Sequence, residues 1–425
     1  MQRRQFLKVV AGAGLGAPII LNQWGCATVL PPPDRSTGLS LYCISGDVTD
    51  SSALIWLRAV PGSQVAVQYG RDARLTEFDT TIPFAVEAST DYTAKISLDS
   101  LQPATRYYYR GAVNGKLPGP ISSFLTAPRA DDDAKVTFCF SGDTRQSYKP
   151  FTAMDAAAAQ RPDFFLHLGD TIYADKNGSA ETLPEFWAKY QINRDDFGTQ
   201  DCLRHSSLYV TWDDHEVEDN FLPGDALALT GWRAFLDYWP VRVPESEPMR
   251  IYRSFRWGRA VEIFILDTRQ FRDLKRGTML GEAQKAWLFE RIASSAATFK
   301  FIATSVTMAG GGSDRWDGFP KERAEILRYI NEKKLRGVYF ISADMHYAAI
   351  ARIPKSGGLK DITAGPLGAP LNRITDGTAR RFEYFLAENF NFAKITVDPK
   401  ADPSGALLEF IDQDNQIFHS TTLRA

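Results

Sequence analysis

The chain has 425 residues, 44% of them apolar, which is enough to bury a sizeable core in two or three domains. Its formal net charge is −2 and acids and bases are mixed along the chain, which excludes a basic nucleic-acid-binding protein and a chain with a disordered acidic tail. Four cysteines fit neither a paired zinc spacing nor a dense disulfide framework, and with only five histidines any metal site must be ligated mostly by oxygen.

Residues 1–30 have the pattern of an export signal. Arg3 and Arg4 precede a Gly/Ala-rich apolar run that is too short for a permanent membrane span. Paired arginines are typical of twin-arginine signals, so we expect the twin-arginine export machinery as a partner and a periplasmic or extracellular location. Cys26 is a candidate lipid anchor, which would make the protein a membrane-anchored lipoprotein, although Gln23 fits a lipobox poorly.

A proline-rich linker is predicted over residues 31–38, followed by a β domain over residues 39–128. Short runs rich in Val, Ile, Thr and Tyr are divided by turn residues, a spacing typical of an antiparallel β-sandwich. The segment Leu101–Tyr109 resembles the L-x-P-x-T-x-Y-x-Y corner of fibronectin type III-like domains. A polar linker over residues 129–134 ends this part.

Strand–helix alternation from Lys135 predicts a second domain over residues 135–425. Helical periodicity is clearest in FTAMDAAAAQ, LPEFWAKYQI, GEAQKAWLFERIAS and KERAEILRYINEK, and the chain ends in strands that complete one layer. The predicted fold class is therefore α/β: a fibronectin-like β-sandwich joined to a two-sheet α/β sandwich.

Acids and histidines follow four of the strand-like runs. KVTFCF leads to SGDTR, DFFLHL to GDTIY, SLYVTW to DDHE and GVYFIS to ADMH. Ligand sites of open α/β sheets lie outside the carboxyl ends of the strands, so we expect these side chains to converge on a metal cluster. The residues concerned are Asp143, Asp170, Tyr173, Asp214, His215, Asp344 and His346.

These residue types suit the hydrolysis of phosphate esters. Two metal ions acidify a bound water and place positive charge where the phosphoryl oxygens gain negative charge. Asp170 is the natural bridge between two ions, because Gly169 before it permits a tight exit from the strand. Tyr173 could reach the same ion, and hard oxygen donors favour Fe(III), Mn or Ca over a thiolate-bound zinc.

The motifs resemble those of the calcineurin-like metallophosphoesterases, and most closely the PhoD-like alkaline phosphatases and phosphodiesterases, with purple acid phosphatases more distant. The family elements GD-x-x-Y, W-D-D-H-E and G-D-x-H correspond to Gly169–Tyr173, Trp212–Glu216 and Ala343–His346. The resemblance implies a metallophosphoesterase domain over residues 135–425 and extends over nearly the whole chain.

The resemblance also implies roles for single residues. An Fe(III) would be held by Asp143, Asp170, Tyr173 and His346, and Asp170 would bridge to Ca(II), or to Mn or Zn, at Asp214 and Asp344. His215 would bind a phosphate oxygen or protonate the leaving group, and Arg145 would neutralise phosphate charge. Residues expected to orient the ligands are Asp213, Glu216, Asp267 and Arg269.

Two positions depart from the family pattern. The first motif often carries a cysteine ligand where this chain has Asp143, and the nearest thiol is Cys139. The usual middle histidine is missing from the strand that ends at Ser305, so Ser305 or a water would have to substitute.

We therefore expect an exported metal-dependent hydrolase of phosphomonoesters, phosphodiesters or both, using a metal-activated hydroxide at a binuclear or multinuclear site. The expected partner is a phosphate-ester substrate, with no stable nucleic-acid partner. Two alternatives stay open: a glycoside hydrolase with paired carboxylates, which would tolerate chelation, and a surface binding module with a degenerate hydrolase domain. Taken alone, Asp143 and Asp170 could also be helix N-caps.

Overall fold

The computed structural model describes residues 43–117, 119–374 and 382–425. The predicted export signal, the linker over residues 31–38 and Cys26 lie outside the described residues. Among the residues that are described, no helix combines the length and the apolar character needed to cross a membrane.

The front of the chain forms short strands, as the alternating pattern predicts. The Tyr107 hydroxyl accepts a hydrogen bond from the backbone N–H of Gln102 at 2.9 Å, which closes the predicted corner. The strands are β1 Ile44–Gly46, β2 Ala53–Arg58, β3 Gln64–Gly70, β4 Asp79–Thr80, β5 Phe84–Ala85, β6 Thr93–Leu98, β7 Arg106–Val113 and β8 Ser122–Leu125.

The rest of the chain alternates strands and helices. The helices are α1 Thr152–Ala159, α2 Leu183–Arg194, α3 Phe197–His205, α4 Ala228–Tyr238, α5 Gly281–Ser294 and α6 Pro320–Glu332. The strands are β9 Val136–Ser141, β10 Phe164–His167, β11 Ser207–Val210, β12 Arg253–Trp257, β13 Val261–Ile265, β14 Phe299–Ala303, β15 Val338–Ser342, β16 Ala348–Arg352, β17 Lys360–Thr363, β18 Phe382–Leu386, β19 Asn391–Val397, β20 Gly405–Asp412 and β21 Ile417–Arg424.

Two of these sheets form the α/β sandwich. Over the described residues, the first has the order β21-β20-β19-β9-β10-β11-β1-β2-β6 and the second the order β12-β13-β14-β15-β17-β16-β18. Side chains of both sheets meet in one buried cluster, where the ring of Phe138 lies edge-on to that of Phe301 at 5.3 Å. The predicted two-sheet α/β sandwich is confirmed, and the final strands complete one layer.

The front strands are divided between two sheets. β1, β2 and β6 extend the first large sheet, because β1 pairs in parallel with β11. β3, β4, β5, β7 and β8 form the smaller sheet that covers them, with a shared apolar core. The described residues from Cys43 onward form one compact unit, and the front sandwich and the α/β part share a continuous sheet.

Helices α3 and α4 were not predicted from the sequence. α3 is polar, and its N-cap Asp196 accepts a hydrogen bond from the Thr199 N–H at 2.9 Å. α4 lies in a Trp-rich polar region and packs against α2. Burial of one face of each helix against the rest of the chain holds both helices in place.

Candidate active site

The acidic motifs follow strand ends at one edge of the sandwich. β9, β10 and β11 are parallel neighbours in the first sheet, so their carboxyl ends share an edge. The loops after them are tied together, since the Thr144 N–H donates to the Asp170 carbonyl at 2.8 Å. β15 of the second sheet delivers Asp344 and His346.

Four of the predicted ligands have left-handed backbone conformations. Their φ angles are 69° at Asp143, 53° at Asp170, 62° at Asp344 and 57° at His346. This conformation costs about 1–2 kcal/mol for a residue with a Cβ and is concentrated at functional sites. Neither Asp143 nor Asp170 is the N-cap of a helix that the structure describes.

Two groups of side chains have the geometry of metal-ligand sets. The ligand atoms of Asp143, Asp170 and His346 lie within 4.8 Å of one another, and so do those of Asp170, Asp214 and His215. Asp170 belongs to both groups, as a carboxylate that bridges two ions must. The described chain therefore converges on one cluster, whose members are separated widely in sequence.

The charge of this cluster is suited to cations. Burial and the neighbouring Asp214 raise the pKa of Asp170 well above the ordinary carboxyl value. Both carboxylate oxygens of Asp143 are buried and accept no hydrogen bond from the described residues, and the nearest imidazole nitrogen, His346 Nε2, lies 3.5 Å from Oδ1. A buried carboxylate without donors is costly unless a cation compensates it, so oxygen donors at these positions fit a hard metal ion.

Tyr173 lies between the two groups. Its hydroxyl shares a hydrogen bond with His346 Nε2 at 3.1 Å, and its ring stacks on the ring of His215 at 4.1 Å. Burial and the charge of Asp170 raise the pKa of the phenol well above its ordinary value. Arg145 lies with its guanidinium carbon 5.9 Å from the centre of the Tyr173 ring, which brings this predicted phosphate-binding residue to the site.

His215 is oriented by a carboxylate that sequence reasoning missed. Its Nδ1 lies 2.7 Å from Asp175 Oδ1, and its backbone N–H donates to Asp170 at 3.2 Å. Burial lowers the pKa of the imidazole, but the hydrogen bond to Asp175 and the charges of Asp214 and Asp175 together outweigh burial and leave the pKa raised. Contact with Asp175 fixes one ring nitrogen and leaves Nε2 for other partners.

Asp344 lies at the site but outside both ligand groups. Its two oxygens accept hydrogen bonds from Arg315 Nε at 2.6 Å and Nη2 at 2.8 Å. In the second group His215 stands where the sequence predicts Asp344. The assignments of Asp344 as a ligand and of His215 as a proton donor stay predictions.

The residues expected to orient the ligands form a buried network behind the cluster. Glu216 accepts hydrogen bonds from the backbone N–H groups of Asp170 at 3.0 Å and Asp213 at 2.8 Å. These bonds join the loop after β10 to the loop after β11. Arg269 is fully buried and pairs with Asp213 and with Asp314 at 3.0 Å. Asp267 accepts from the Trp212 indole at 2.9 Å.

Ser305 faces this network instead of the cluster. Its hydroxyl donates to Asp213 Oδ1 at 3.0 Å and also contacts Thr268. Since Asp213 belongs to neither ligand group, Ser305 has no direct path to a metal ion in this arrangement.

A cleft of about 450 Å³ opens above the cluster. Its walls carry Asp170, Asp214, His215, Arg315, Asp344 and His346, together with the backbone segment Pro370–Asn372. The His346 ring is held at this wall by the Pro370 carbonyl, 2.6 Å from Nδ1. An acidic floor beside an arginine and two imidazoles suits an anionic ligand bound through cations.

Family comparisons agree with this geometry. Residues 137–377 match the model of the PhoD-like phosphatase, and residues 26–128 match that of the PhoD-like phosphatase N-terminal domain. The chain belongs to the PhoD-like phosphatase family. It is 27% identical over 414 residues to alkaline phosphatase D of Bacillus subtilis (strain 168), covering 81% of this chain and 71% of that protein.

Solved structures agree on the fold. A structure of PhoD superposes with a TM-score of 0.80 at 21% identity, covering 93% of this chain and 90% of the other. A purple acid phosphatase from yellow lupin superposes with a TM-score of 0.70 at 15% identity, covering 91% and 74%. The predicted family is confirmed, and the protein is a phosphatase that acts on phosphate esters.

Three polar residues of the site escaped sequence reasoning. Asp175 follows Tyr173 by two positions in the same loop, and Asn220 donates its N–H to Asp214 at 2.7 Å. Arg315 follows the glycine run Gly310–Gly312. That run was a usable signal, because consecutive glycines mark a tight backbone path near a functional surface.

Proposed function

We propose that the protein is an exported, metal-dependent phosphoric ester hydrolase that uses two cations bridged by Asp170. The observation that supports this most directly is the membership of Asp170 in both ligand groups. The cations, when bound, supply positive charge to the phosphoryl oxygens and acidify a water near neutral pH. Paired carboxylates of a glycoside hydrolase would require neither the shared ligand nor the histidines.

The residues around the cluster have separate tasks in this proposal. Asp143, Asp170, Tyr173 and His346 hold the first ion, and Asp214 with Asp344 or His215 holds the second. When His215 is not a ligand, its Nε2 binds a phosphate oxygen or gives a proton to the leaving group. Arg145 adds charge complementarity beside Tyr173, and no side chain forms a covalent intermediate.

Hydrolysis before and after chelation tests the metal requirement. The purified protein is assayed on p-nitrophenyl phosphate and on bis-p-nitrophenyl phosphate, and its metals are measured by elemental analysis. We expect about two metal ions per chain and loss of hydrolysis after chelation. Unchanged hydrolysis in a metal-free sample would rule out the proposal. A protein that binds metal but hydrolyses neither ester before chelation would favour a binding module.

Iron at the first site has its own test. An Fe(III)–phenolate bond absorbs visible light, so iron held by Tyr173 should colour the protein. We expect Tyr173→Phe to abolish the visible band, whereas Tyr148→Phe, which changes a tyrosine whose ring packs edge-on to Phe390, should retain it. A colourless but active wild type would favour Mn, Zn or Ca at this site.

Export and lipidation follow from the amino-terminal pattern only. Replacing Arg3 and Arg4 with lysine in the full chain should retain the protein in the cytoplasm, as measured by cell fractionation. Cys26→Ser should release the protein from membranes if Cys26 carries a lipid. An unchanged distribution in both variants would remove this part of the proposal.

A further inference from the structure

A glycine-rich loop after β14 brings Arg315 to the cleft. Gly310, Gly311 and Gly312 have φ angles of 99°, 96° and 95°, which are readily adopted only by glycine. A Cβ on Gly311 would lie 2.7 Å from Arg315 Cδ, and the Gly311 carbonyl accepts a hydrogen bond from Arg315 Nη1 at 3.0 Å. The backbone of the loop therefore packs closely against the Arg315 side chain.

The neighbours of Arg315 in the chain are firmly anchored. Asp314 pairs with Arg269 at 3.0 Å and with Arg272 at 2.5 Å. Trp316 is fully buried, and its indole N–H donates to Thr304 Oγ1 at 3.1 Å. Because the backbone is held on both sides, the Arg315 head group can change partner without movement of the loop.

The present partner of Arg315 is a carboxylate at the edge of the cluster. The guanidinium binds both oxygens of Asp344, in the fork geometry that also matches two oxygens of a phosphate group. The Arg315 side chain is 26% exposed and faces the cleft, whereas Asp344 is 7% exposed. The arginine can therefore reach a bound ester from the solvent side.

The guanidinium of Arg315 and a cation at Asp344 would repel each other, so the two compete for the same carboxylate. We propose that Arg315 is a substrate-binding residue that pairs with Asp344 in the metal-free protein. When a cation occupies Asp344, the Arg315 guanidinium instead donates its two hydrogen bonds to the phosphate of the substrate. This inference rests on the proposed function, because it requires a cation at the second site. Phosphomonoesters and phosphodiesters both present oxygens for this contact, so inorganic phosphate is a suitable probe.

The inference predicts two effects of opposite sign in Arg315→Gln. Loss of the competing guanidinium should tighten binding of the second cation roughly tenfold, measured by calorimetric titration of the metal-free protein. Loss of the fork should weaken inhibition by inorganic phosphate and raise KM by roughly ten- to a hundredfold, with a smaller change in kcat. A merely structural arginine would weaken metal and phosphate binding together.

Two further variants complete the design. Arg323→Gln removes an arginine that contacts Met308 and Asp317 instead of the cleft, and should change neither binding constant. Arg315→Lys keeps the charge without the fork, so it should retain the metal affinity and lose part of the phosphate affinity. It also serves as the test variant if Arg315→Gln fails to fold.

The outcomes separate this inference from the proposed function. If Arg315→Gln and Arg315→Lys both match the wild type in metal and phosphate binding, the role of Arg315 is wrong although the metal site stands. If the wild type binds no cation and hydrolyses esters without metal, the proposed function is wrong and this inference falls with it.

Discussion

Asp170 is the residue on which both ligand groups depend. It adopts a left-handed conformation after Gly169, and its backbone N–H is fixed by Glu216 at 3.0 Å. Its carboxylate is buried and lies among like charges, which disfavours its ionised form, and a nearby cation would stabilise that form. The two cations of the proposed function should therefore be lost together when this carboxylate is removed.

Asp170→Asn should lose metal and activity while the protein stays folded. An amide is a poor bridge between two cations, so we expect a loss of activity of roughly a hundredfold or more, since changes even behind the ligands cost ten- to a hundredfold. Elemental analysis and hydrolysis of bis-p-nitrophenyl phosphate measure this. Asp163→Asn, at the opposite end of β10, is the matched control and should keep its metals. Full activity of Asp170→Asn would contradict the bridging role.

In the metal-free protein, we expect the effect of Asp170→Asn on the free energy of unfolding to depend on pH. Burial and Asp214 raise the pKa of Asp170 in the folded state above the ordinary value of 3.8, so its contribution to stability is complete at low pH and is lost as the pH rises through the raised pKa. Metal-free Asp170→Asn should therefore become more stable than the metal-free wild type at alkaline pH. The difference should grow by at most about 1.4 kcal/mol per pH unit. Urea unfolding at several pH values measures it, and a constant difference would contradict the raised pKa.

At the scale of elements, the loop between β10 and the cluster depends on Gly169. Its φ is 108°, and a Cβ there would lie 2.7 Å from the Asp213 Cβ and 2.8 Å from its backbone nitrogen. This close approach lets the loops after β10 and β11 pack side by side, so that Asp170 and Asp214 belong to the same ligand group.

Gly169→Ala should destabilise the protein more than Gly178→Ala. Both positions have positive φ angles, 108° and 86°, but a Cβ at Gly178 would meet no atom within 4 Å. The control therefore isolates the conformational cost of about 1 kcal/mol, and the additional clash at Gly169 should bring the loss to roughly 2–4 kcal/mol. Urea unfolding measures both. Equal losses would show that the contact with Asp213 relaxes freely.

The amino-acid sequence predicted the strands of the site better than it predicted the contacts between their loops. Runs such as KVTFCF and GVYFIS identify strands ending in acids, because apolar runs and the residues after them are local features. The positions of Arg315 and Asp175 could not be predicted in this way, since they depend on where a glycine loop and a turn place side chains relative to distant strands. The pairing of Asp344 with Arg315 is likewise a tertiary contact between residues of different loops.

At the scale of the molecule, an ion pair joins the front strands to the second sheet. Asp47, just after β1, is fully buried and binds Arg253 of β12 through contacts of 2.8–3.0 Å. It also accepts a hydrogen bond from the Arg242 N–H at 2.7 Å. Because both sheets meet at this pair, its loss should affect the whole fold instead of one loop.

Asp47→Asn should lower the free energy of unfolding by roughly 2–4 kcal/mol, because Arg253 would keep its charge in a buried position without a counter-charge. Asp133→Asn removes the partner of Arg259 from an exposed pair, 55% and 56% accessible, and should change stability by less than about 1 kcal/mol. Urea unfolding compares the two. Similar small changes in both variants would mean that Asp47 contributes little to joining the sheets.

The continuous first sheet sets the order in which the protein can assemble during its synthesis. β1 at residues 44–46 needs β11 at residues 207–210, and β9 at residues 136–141 needs β19 at residues 391–397. A nascent chain therefore holds β1 without β11 until residues 207–210 have been made, and β9 without β19 until residues 391–397 have been made. The second group of candidate ligands is complete once His215 has been made, whereas the first must wait for His346, long after its other members Asp143 and Asp170.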